Sequence, residues 1–133
     1  MIKRPLNPRF TEAVLAGRKV TTIRAKAWPV GVPIMLYNWS GKAYRSKQVD
    51  VAAVIVQDFT PIRIGRERDL ICYHAERGIH PGRLLWSCEG FLSQQDMDHW
   101  FRATMKPGQW VDKALMRFRL VNSRLTEPNP TTP

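Results

Sequence analysis

Acidic residues are scarce in this sequence, and long apolar runs are absent from it. Asp and Glu total 11 against 21 Lys and Arg, which gives a formal net charge of +10. A charge of this size on a small domain favours polyanionic or nucleotide-like partners, with nucleic acid first among them. No apolar stretch approaches the roughly 20 residues of a membrane helix, and the first ten residues lack the apolar segment of a signal peptide. We therefore expect a cytoplasmic protein without a membrane partner.

Cysteine is also rare, and the two thiols are Cys72 and Cys88. They form no short metal or redox motif, and a reducing cytoplasm predicts that both stay free. Together with His74 and His80 they match no common zinc spacing. The sequence therefore predicts neither a disulfide nor a bound metal.

The first half of the chain predicts one helix followed by strands. Thr11 is a favourable N-cap for this helix, with Phe10 and Leu15 placed to form a hydrophobic staple. Gly17 is a natural helix stop because it adopts the left-handed conformation easily. The strands are predicted by β-branched and apolar segments, KVTTIRA, IMLYNW and VDVAAVIVQDF, with TPIRIG continuing the sheet after a bend. The next segment, ERDLICYHAERG, is compatible with a helix.

The second half predicts a capped helix and a final strand. Ser93 caps the helix, Asp96 completes an approximate capping box, and Leu92 can staple against Met97. The apolar side chains of this helix share one face, which indicates core packing: Met97, Trp100, Phe101 and Met105. The alternating segment KALMRFRLV predicts a closing strand with one basic face.

Several strands with one or two covering helices predict an α+β fold with a small mixed or antiparallel β-barrel. We expect a single domain over residues 1–121. Residues 122–133 are rich in Pro, Thr and Asn, which is typical of a flexible C-terminal tail.

Lys19 and Thr22 form a candidate nucleophile–base pair. A threonine hydroxyl attacks only when a neighbouring base removes its proton, and burial or nearby cations can lower a lysine pKa enough for that task. Residues three apart on a regular strand point to opposite faces. Lys19 and Thr22 can therefore converge only if the backbone between Gly17 and Thr22 departs from a regular strand.

Two glutamates are candidates for the acid that would complete such a site. Glu89 precedes the Ser93-capped helix, where a helix N-terminus would favour its charged form. Glu76 is the alternative, although it can simply pair with Arg77 or Arg83. The residues themselves leave both candidates open.

A nucleic-acid surface is the alternative use of the same charge. Four cations could contact phosphates, Arg24, Lys26, Arg117 and Arg119. Four aromatic residues could stack on bases, Trp28, Tyr37, Trp39 and Tyr44. This pattern predicts salt-sensitive binding of single-stranded RNA.

A set of motifs occurs in a recognisable order across roughly residues 10–121. VLAGRKVTTIRA is followed by W and VG before a strand, then by EGF, a helix ending in PG, and the closing strand MRFRL. This arrangement resembles the ASCH domain, a relative of the PUA-like β-barrels. The resemblance implies a small barrel with flanking helices and a cleft between them.

Small bacterial members of that family are amidohydrolases that remove the acyl group from N(4)-acetylcytidine without a metal or organic cofactor. The resemblance assigns their catalytic lysine and threonine to Lys19 and Thr22. Register with the PG helix end assigns the glutamate to Glu89 rather than Glu76, with Glu89 helping to deliver a proton to the leaving amine. Arg24, Tyr37 and Trp39 are the expected substrate-binding residues. A second branch of the family binds RNA, with possible ribonuclease activity.

This sequence departs from the amidohydrolase motif at three positions. Val20 stands where those enzymes usually carry threonine, Thr21 replaces an aliphatic residue, and Ala25 replaces a common aspartate. The differences bear on activity more than on fold.

Overall fold

The computed structural model describes residues 1–75 and 84–121, which form a mixed α+β fold around one six-stranded sheet. The strands are β1 (Ile2–Pro5), β2 (Thr21–Arg24), β3 (Pro33–Trp39), β4 (Gln48–Glu67), β5 (Leu70–Ala75) and β6 (Trp110–Leu120). The helices are a 3-10 turn (Pro8–Phe10), α1 (Thr11–Leu15), α2 (Leu85–Cys88) and α3 (Gln94–Thr104). The predicted α+β class is confirmed.

The sheet has the order β1-β3-β4-β6-β2, with β5 paired to the second half of β4. β1 and β3 run parallel, and the other ladders are antiparallel. Within the described ranges no ladder joins the outer strands β1 and β2, so hydrogen bonds do not close the sheet.

β4 is the central element of the sheet. Its 20 residues join the predicted VDVAAVIVQDF strand and the TPIRIG continuation into one strand. A register shift in the ladder with β6 lies between Val56 and Asp58, inside the first segment rather than at the predicted bend after Phe59. The extra residue of such a bulge increases the twist of a strand and lets it curl.

The helix considered for ERDLICYHAERG is wrong over the residues that the structure describes. Leu70–Ala75 form β5, a hairpin partner of β4, and Glu67 pairs with Leu70 across the turn. Arg68 takes a positive φ of 57° in that turn. Short apolar runs suit either a strand or a helix. The segment Leu70–Ala75 forms a strand because the edge of β4 is available to pair with it. Residues 76–78 of the predicted segment lie outside the described ranges.

The start of α1 also differs from its prediction. Asn7 caps the preceding 3-10 turn by accepting from the Arg9 backbone N–H at 2.9 Å. Thr11 instead donates its hydroxyl to the Asn38 side chain on β3 at 2.9 Å. The predicted Phe10–Leu15 staple does not form, since Leu15 is 55% exposed. The 3-10 turn leads directly into α1, and its carbonyls satisfy the first backbone N–H groups of the helix. A side-chain cap at Thr11 is therefore unnecessary.

The N-cap of α3 is confirmed, because the Ser93 hydroxyl accepts from the Asp96 backbone N–H at 3.0 Å. Asp96 reaches back to the Leu92 backbone N–H at 2.9 Å. The predicted staple is wrong, since Leu92 is exposed while Met97 is fully buried. Met97, Phe101 and Met105 pack into the core, as predicted.

Strand β1 was not predicted, because four residues ending in proline carry almost no strand signal. It adds to the outside of β3 and starts the segment that leads to the site described below. Within residues 1–75 and 84–121, the helices are all too short or too polar to cross a bilayer.

Candidate active site

The backbone between α1 and β2 sets the position of Lys19. Gly17 has a φ of +76°, and the backbone N–H groups of Arg18 and Lys19 both donate to the Ala13 carbonyl. Val20 then donates to the Cys88 carbonyl at 2.8 Å, and the regular ladder begins only at Thr21. Lys19 therefore lies on a tight turn outside the strand, which is the departure that the Lys19–Thr22 hypothesis requires.

Lys19 and Glu89 form a buried pair. Lys19 Nζ donates to the Glu89 backbone carbonyl at 2.9 Å and lies 3.8 Å from the Glu89 Oε1 atom. Both side chains are only 5% exposed. The ring of Phe10 packs beneath Nζ at 4.8 Å from its centroid. A lysine held this far from water is stabilised in its charged form chiefly by this one carboxylate and this one carbonyl.

Burial lowers the pKa of Lys19 below its ordinary value of 10.5. The Glu89 carboxylate opposes this shift, and the Arg24 guanidinium reinforces it. The net direction brings Lys19 closer to the pKa range in which a lysine can accept a proton.

The two adjacent threonines project to opposite faces of β2, as strand alternation requires. Thr21 pairs with Arg117 and is fully buried, and its hydroxyl donates to Glu89 Oε2 at 2.5 Å. Thr22 pairs with Met116, and its hydroxyl oxygen accepts from Arg24 Nε at 3.2 Å. Thr21 therefore fixes the carboxylate, while Thr22 keeps its own proton available for another acceptor.

Arg24 joins the open edges of the sheet at the site. One terminal nitrogen donates to the Pro5 carbonyl at the end of β1 at 2.8 Å, while Nε contacts Thr22. The guanidinium stacks on Trp28, 4.8 Å from the ring centroid. A planar group with several fixed donors suits this three-sided contact, which a lysine could not reproduce.

Glu89 does not sit at a helix N-terminus, so that part of the prediction is wrong. It follows α2, and its backbone N–H donates to the Leu85 carbonyl at 2.9 Å. Gly90, with a φ of +89°, then turns the chain past Lys19 Cβ and Ala13. The side chain is held by Thr21 and Lys19 rather than by a helix dipole. Glu76, the alternative acid, lies outside the described residues.

A cleft of about 350 Å³ opens beside this cluster. Lys19, Thr22, Arg24 and Glu89 all contribute to its wall. The rest of the lining is largely apolar and comes from the region of the 3-10 turn, the segment before α3, and the region of α3: Leu6, Phe10, Phe91, Trp100, Phe101 and Met105. Phe10 directly contacts the polar cluster, since its ring lies 4.8 Å from Lys19 Nζ. The volume lies at the small end of the range for ligand pockets, roughly 300–1,000 Å³. The cleft thus combines a polar cluster with adjoining aromatic rings.

The structure does not bring every expected site residue to this cleft. Tyr37 and Trp39 lie on β3 and are not among the residues that line it. Tyr37 is buried between β1 and β4, where it pairs with Pro5 and Asp50.

Sequence reasoning missed the apolar wall and the second threonine. Phe10 and Trp100 were interpreted as packing residues, and their rings do pack edge to face at 5.4 Å while also facing the cleft. Thr21 has no role in the Lys19–Thr22 hypothesis, because adjacent residues on a strand point to opposite faces. Its hydrogen bond to a residue 68 positions away has no signal in the local sequence.

Cys72 and Cys88 are not joined by a disulfide. Cys88 is buried and its carbonyl receives the Val20 N–H, so it positions the segment before Glu89 through its backbone. Across residues 1–75 and 84–121, no group of three or more His, Cys, Asp or Glu side chains is arranged to hold a metal ion.

Comparison with protein-family models, curated proteins and solved structures returned no match for this chain.

Proposed function

We propose that this protein is an amidohydrolase that removes the acyl group from N(4)-acylated cytosine nucleosides. The observation that carries the proposal is the buried Lys19, held against Glu89 on the wall of a cleft that Thr22 also lines. Buried lysines with shifted pKa values in clefts are typical of functional sites. The sequence resemblance to ASCH-domain amidohydrolases, at Lys19, Thr22 and Glu89, supplies the reaction class.

In the proposed first step, the Thr22 hydroxyl oxygen attacks the amide carbonyl carbon and its proton passes to neutral Lys19. The Arg24 Nε–H donates to the Thr22 oxygen, which lowers the basicity of that oxygen and orients its proton away from the guanidinium. Lys19 Nζ is turned toward Glu89 in the free protein. Catalytic hydrogen bonds commonly form only when the substrate is bound.

In the second step the tetrahedral intermediate collapses, the C–N bond breaks, and the exocyclic nitrogen takes a proton. Lysinium at position 19 is the nearest proton source, and the Glu89 carboxylate stabilises that lysinium as it forms. Water then attacks the acyl ester on Thr22 and gives a proton to Lys19. As the ester C–O bond breaks, Lys19 returns that proton to the Thr22 oxygen, so both residues regain their starting forms. Atoms and charges balance to one carboxylic acid and one free cytosine amine.

The aromatic wall suits the base of such a substrate. Phe91 and Trp100 lie 5.9 Å apart at their centroids, and Phe10 contacts both. A flat pyrimidine ring can pack against such a surface while its exocyclic amide faces the polar side.

The proposed fold is a PUA-like β-barrel with flanking helices. Its support is the Arg24 contact to the Pro5 carbonyl, by which a side chain bridges the outer strands β2 and β1 at one end. A register shift in β4, of the kind that increases strand twist, is compatible with such a barrel.

The test of the function is release of cytidine from N(4)-acetylcytidine by the purified protein. We expect Lys19→Met and Thr22→Val each to reduce kcat/KM by at least about 100-fold, the range for loss of a general base or nucleophile. Phe59→Ala, at a residue that does not line the cleft, serves as the control and should retain activity. If the wild-type protein leaves a series of N(4)-acylcytidines intact, the proposal fails.

RNA binding is the second candidate, and one observation favours it. Tyr44 is 85% exposed on the loop after β3, and its ring lies 5.2 Å from that of Trp39. Lys42 and Lys47 flank it on the same exposed loop. Tyr44→Ala should weaken a salt-sensitive complex with single-stranded RNA, and unchanged binding by this variant would remove the second candidate.

A further inference from the structure

The cleft carries more positive than negative charge. Four ionisable side chains line it, Lys19, Arg24, Glu89 and Lys113. Three are basic and one is acidic, so full ionisation gives the wall a net charge of +2. The single carboxylate, Glu89, is already engaged by Lys19 and by the Thr21 hydroxyl.

The Arg24 guanidinium has hydrogen-bond acceptors at the site that are neutral. These are the Thr22 hydroxyl and the Pro5 carbonyl. Burial lowers the pKa of Arg24, Glu89 opposes this, and the Arg4 guanidinium adds to the lowering. An anionic ligand in the cleft would offset the unfavourable desolvation of this cation.

Lys113 is the second cation without a carboxylate partner. Its side chain is half buried on β6, and it lines both this cleft and a more open depression beside Phe59 and Pro61. Within the described ranges the side chain has no hydrogen bond or ion pair. The acidic residue next to it, Asp112, bonds instead to Arg63 at 3.1 Å on the other side of the strand. A half-buried lysine that faces a cleft without a partner is placed to receive a ligand anion.

The ladder between β2 and β6 separates this cation from the acidic end of the site. Glu89 binds Thr21, and Thr21 pairs with Arg117. Lys113 lies four residues farther along β6, at about 13 Å on the usual strand rise. The backbone of Lys113 is therefore well separated, along β6, from the rung at which Thr21 holds Glu89.

We infer that the cleft takes its substrate as a cytosine nucleoside monophosphate, whose phosphate is bound by Lys113 with Arg24 supplying the second positive charge. This inference rests on the proposed function for the identity of the base. The cleft volume of about 350 Å³ suits one nucleotide rather than an oligonucleotide.

The test is a calorimetric titration of the whole chain with the unacylated products, cytidine and cytidine monophosphate, at low and high salt. We expect the monophosphate to bind at least about tenfold more tightly at low salt, because a charge-assisted contact to phosphate is strong and screened by ions. Lys113→Gln should remove most of that preference. Lys106→Gln, an exposed lysine that does not line the cleft, should leave it unchanged.

The outcomes separate this inference from the proposed function. If N(4)-acylated nucleosides and nucleotides are not hydrolysed, but Lys113→Gln still abolishes selective binding of the monophosphate, the reaction is wrong and the phosphate site stands. Equal binding of cytidine and its monophosphate, or equal losses in the Lys113 and Lys106 variants, overturns the inference. Tighter binding of a cytidine dinucleotide than of the monophosphate would also overturn it, because the site would then be built for an internal phosphodiester.

Discussion

The two ion pairs beside β2 differ in their exposure to water. Lys19 and Glu89 are each 5% exposed, whereas Arg117 and Asp58 are 39% and 46% exposed. Both pairs lie near the same rung of the sheet, because Thr21 bonds to Glu89 and pairs with Arg117 on β6. The buried pair carries a desolvation penalty that the exposed pair largely avoids.

That difference has a functional meaning. Replacing a buried ion pair by apolar residues is often neutral or stabilising, so stability alone does not explain its presence. The pair lies on the wall of the cleft, beside the turn that follows Gly17 and beside Thr22 on β2. In the exposed pair, Arg117 donates to Asp58, although the sequence predicted that Arg117 could contact phosphates.

The largest expected effect comes from breaking the buried pair. Glu89→Gln leaves Lys19 charged and buried without a counter-charge, and we expect a loss of about 3–5 kcal/mol in the free energy of unfolding. Urea denaturation monitored by tryptophan fluorescence measures it. The double variant Lys19→Met with Glu89→Gln should recover part of the loss, since it removes the unpaired charge. Equal stability of the single variant and wild type would show that the pair is not desolvated in solution.

A smaller effect is expected at Thr21. Thr21→Val keeps the shape but removes the donor to Glu89 Oε2, and we expect a loss of about 1–3 kcal/mol for the unsatisfied carboxylate oxygen. Thr21→Ser retains the hydroxyl and should fall closer to wild type in the same denaturation experiment. If serine and valine destabilise equally, the role of Thr21 is packing rather than hydrogen bonding.

The contribution of Lys19 to the free energy of unfolding is expected to change gradually with pH. The pKa of Lys19 is lowered in the folded protein from its ordinary value of 10.5. Between the folded pKa and 10.5 the unfolded chain binds more protons, so the Lys19 contribution to stability rises with pH across that window. Subtracting the unfolding free energy of Lys19→Met from that of wild type at each pH isolates this term. A difference that falls as pH rises toward 10.5 would contradict the direction of the shift.

The smallest effect is expected at the exposed pair. Asp58→Asn removes the carboxylate that Arg117 contacts at 2.8 Å, and we expect a change of about 0–1 kcal/mol that shrinks further with added salt. The same denaturation series measures it. A loss as large as that of Glu89→Gln would show that exposure does not separate the two pairs.

Local patterns in the sequence predicted the elements whose signals are self-contained. Ser93 begins a helix because its hydroxyl is three residues from a backbone donor, and Gly17 ends one because glycine tolerates a positive φ. The sequence predicted β4 because β-branched residues recur along the strand. β1 and β5 were not, since each is short and depends on a neighbouring strand for its hydrogen bonds.

The candidate site was predicted in part. The interpretation of Lys19 and Thr22 depended on a turn at Gly17, which local sequence can suggest. The expected roles of Tyr37 and Trp39 depended on tertiary packing, and neither side chain lines the cleft in the structure.

The sequence by itself determined the charge balance, the Gly17 turn that takes Lys19 off the strand, and the alternation that sends Thr21 and Thr22 to opposite faces. These follow from covalent geometry and side-chain chemistry within a few residues. Only the tertiary structure decided that Glu89 meets Lys19 across 70 positions and that Phe10 and Trp100 line the same cleft. Such contacts depend on how the sheet curls and on which elements exclude water together, and no short segment carries that information.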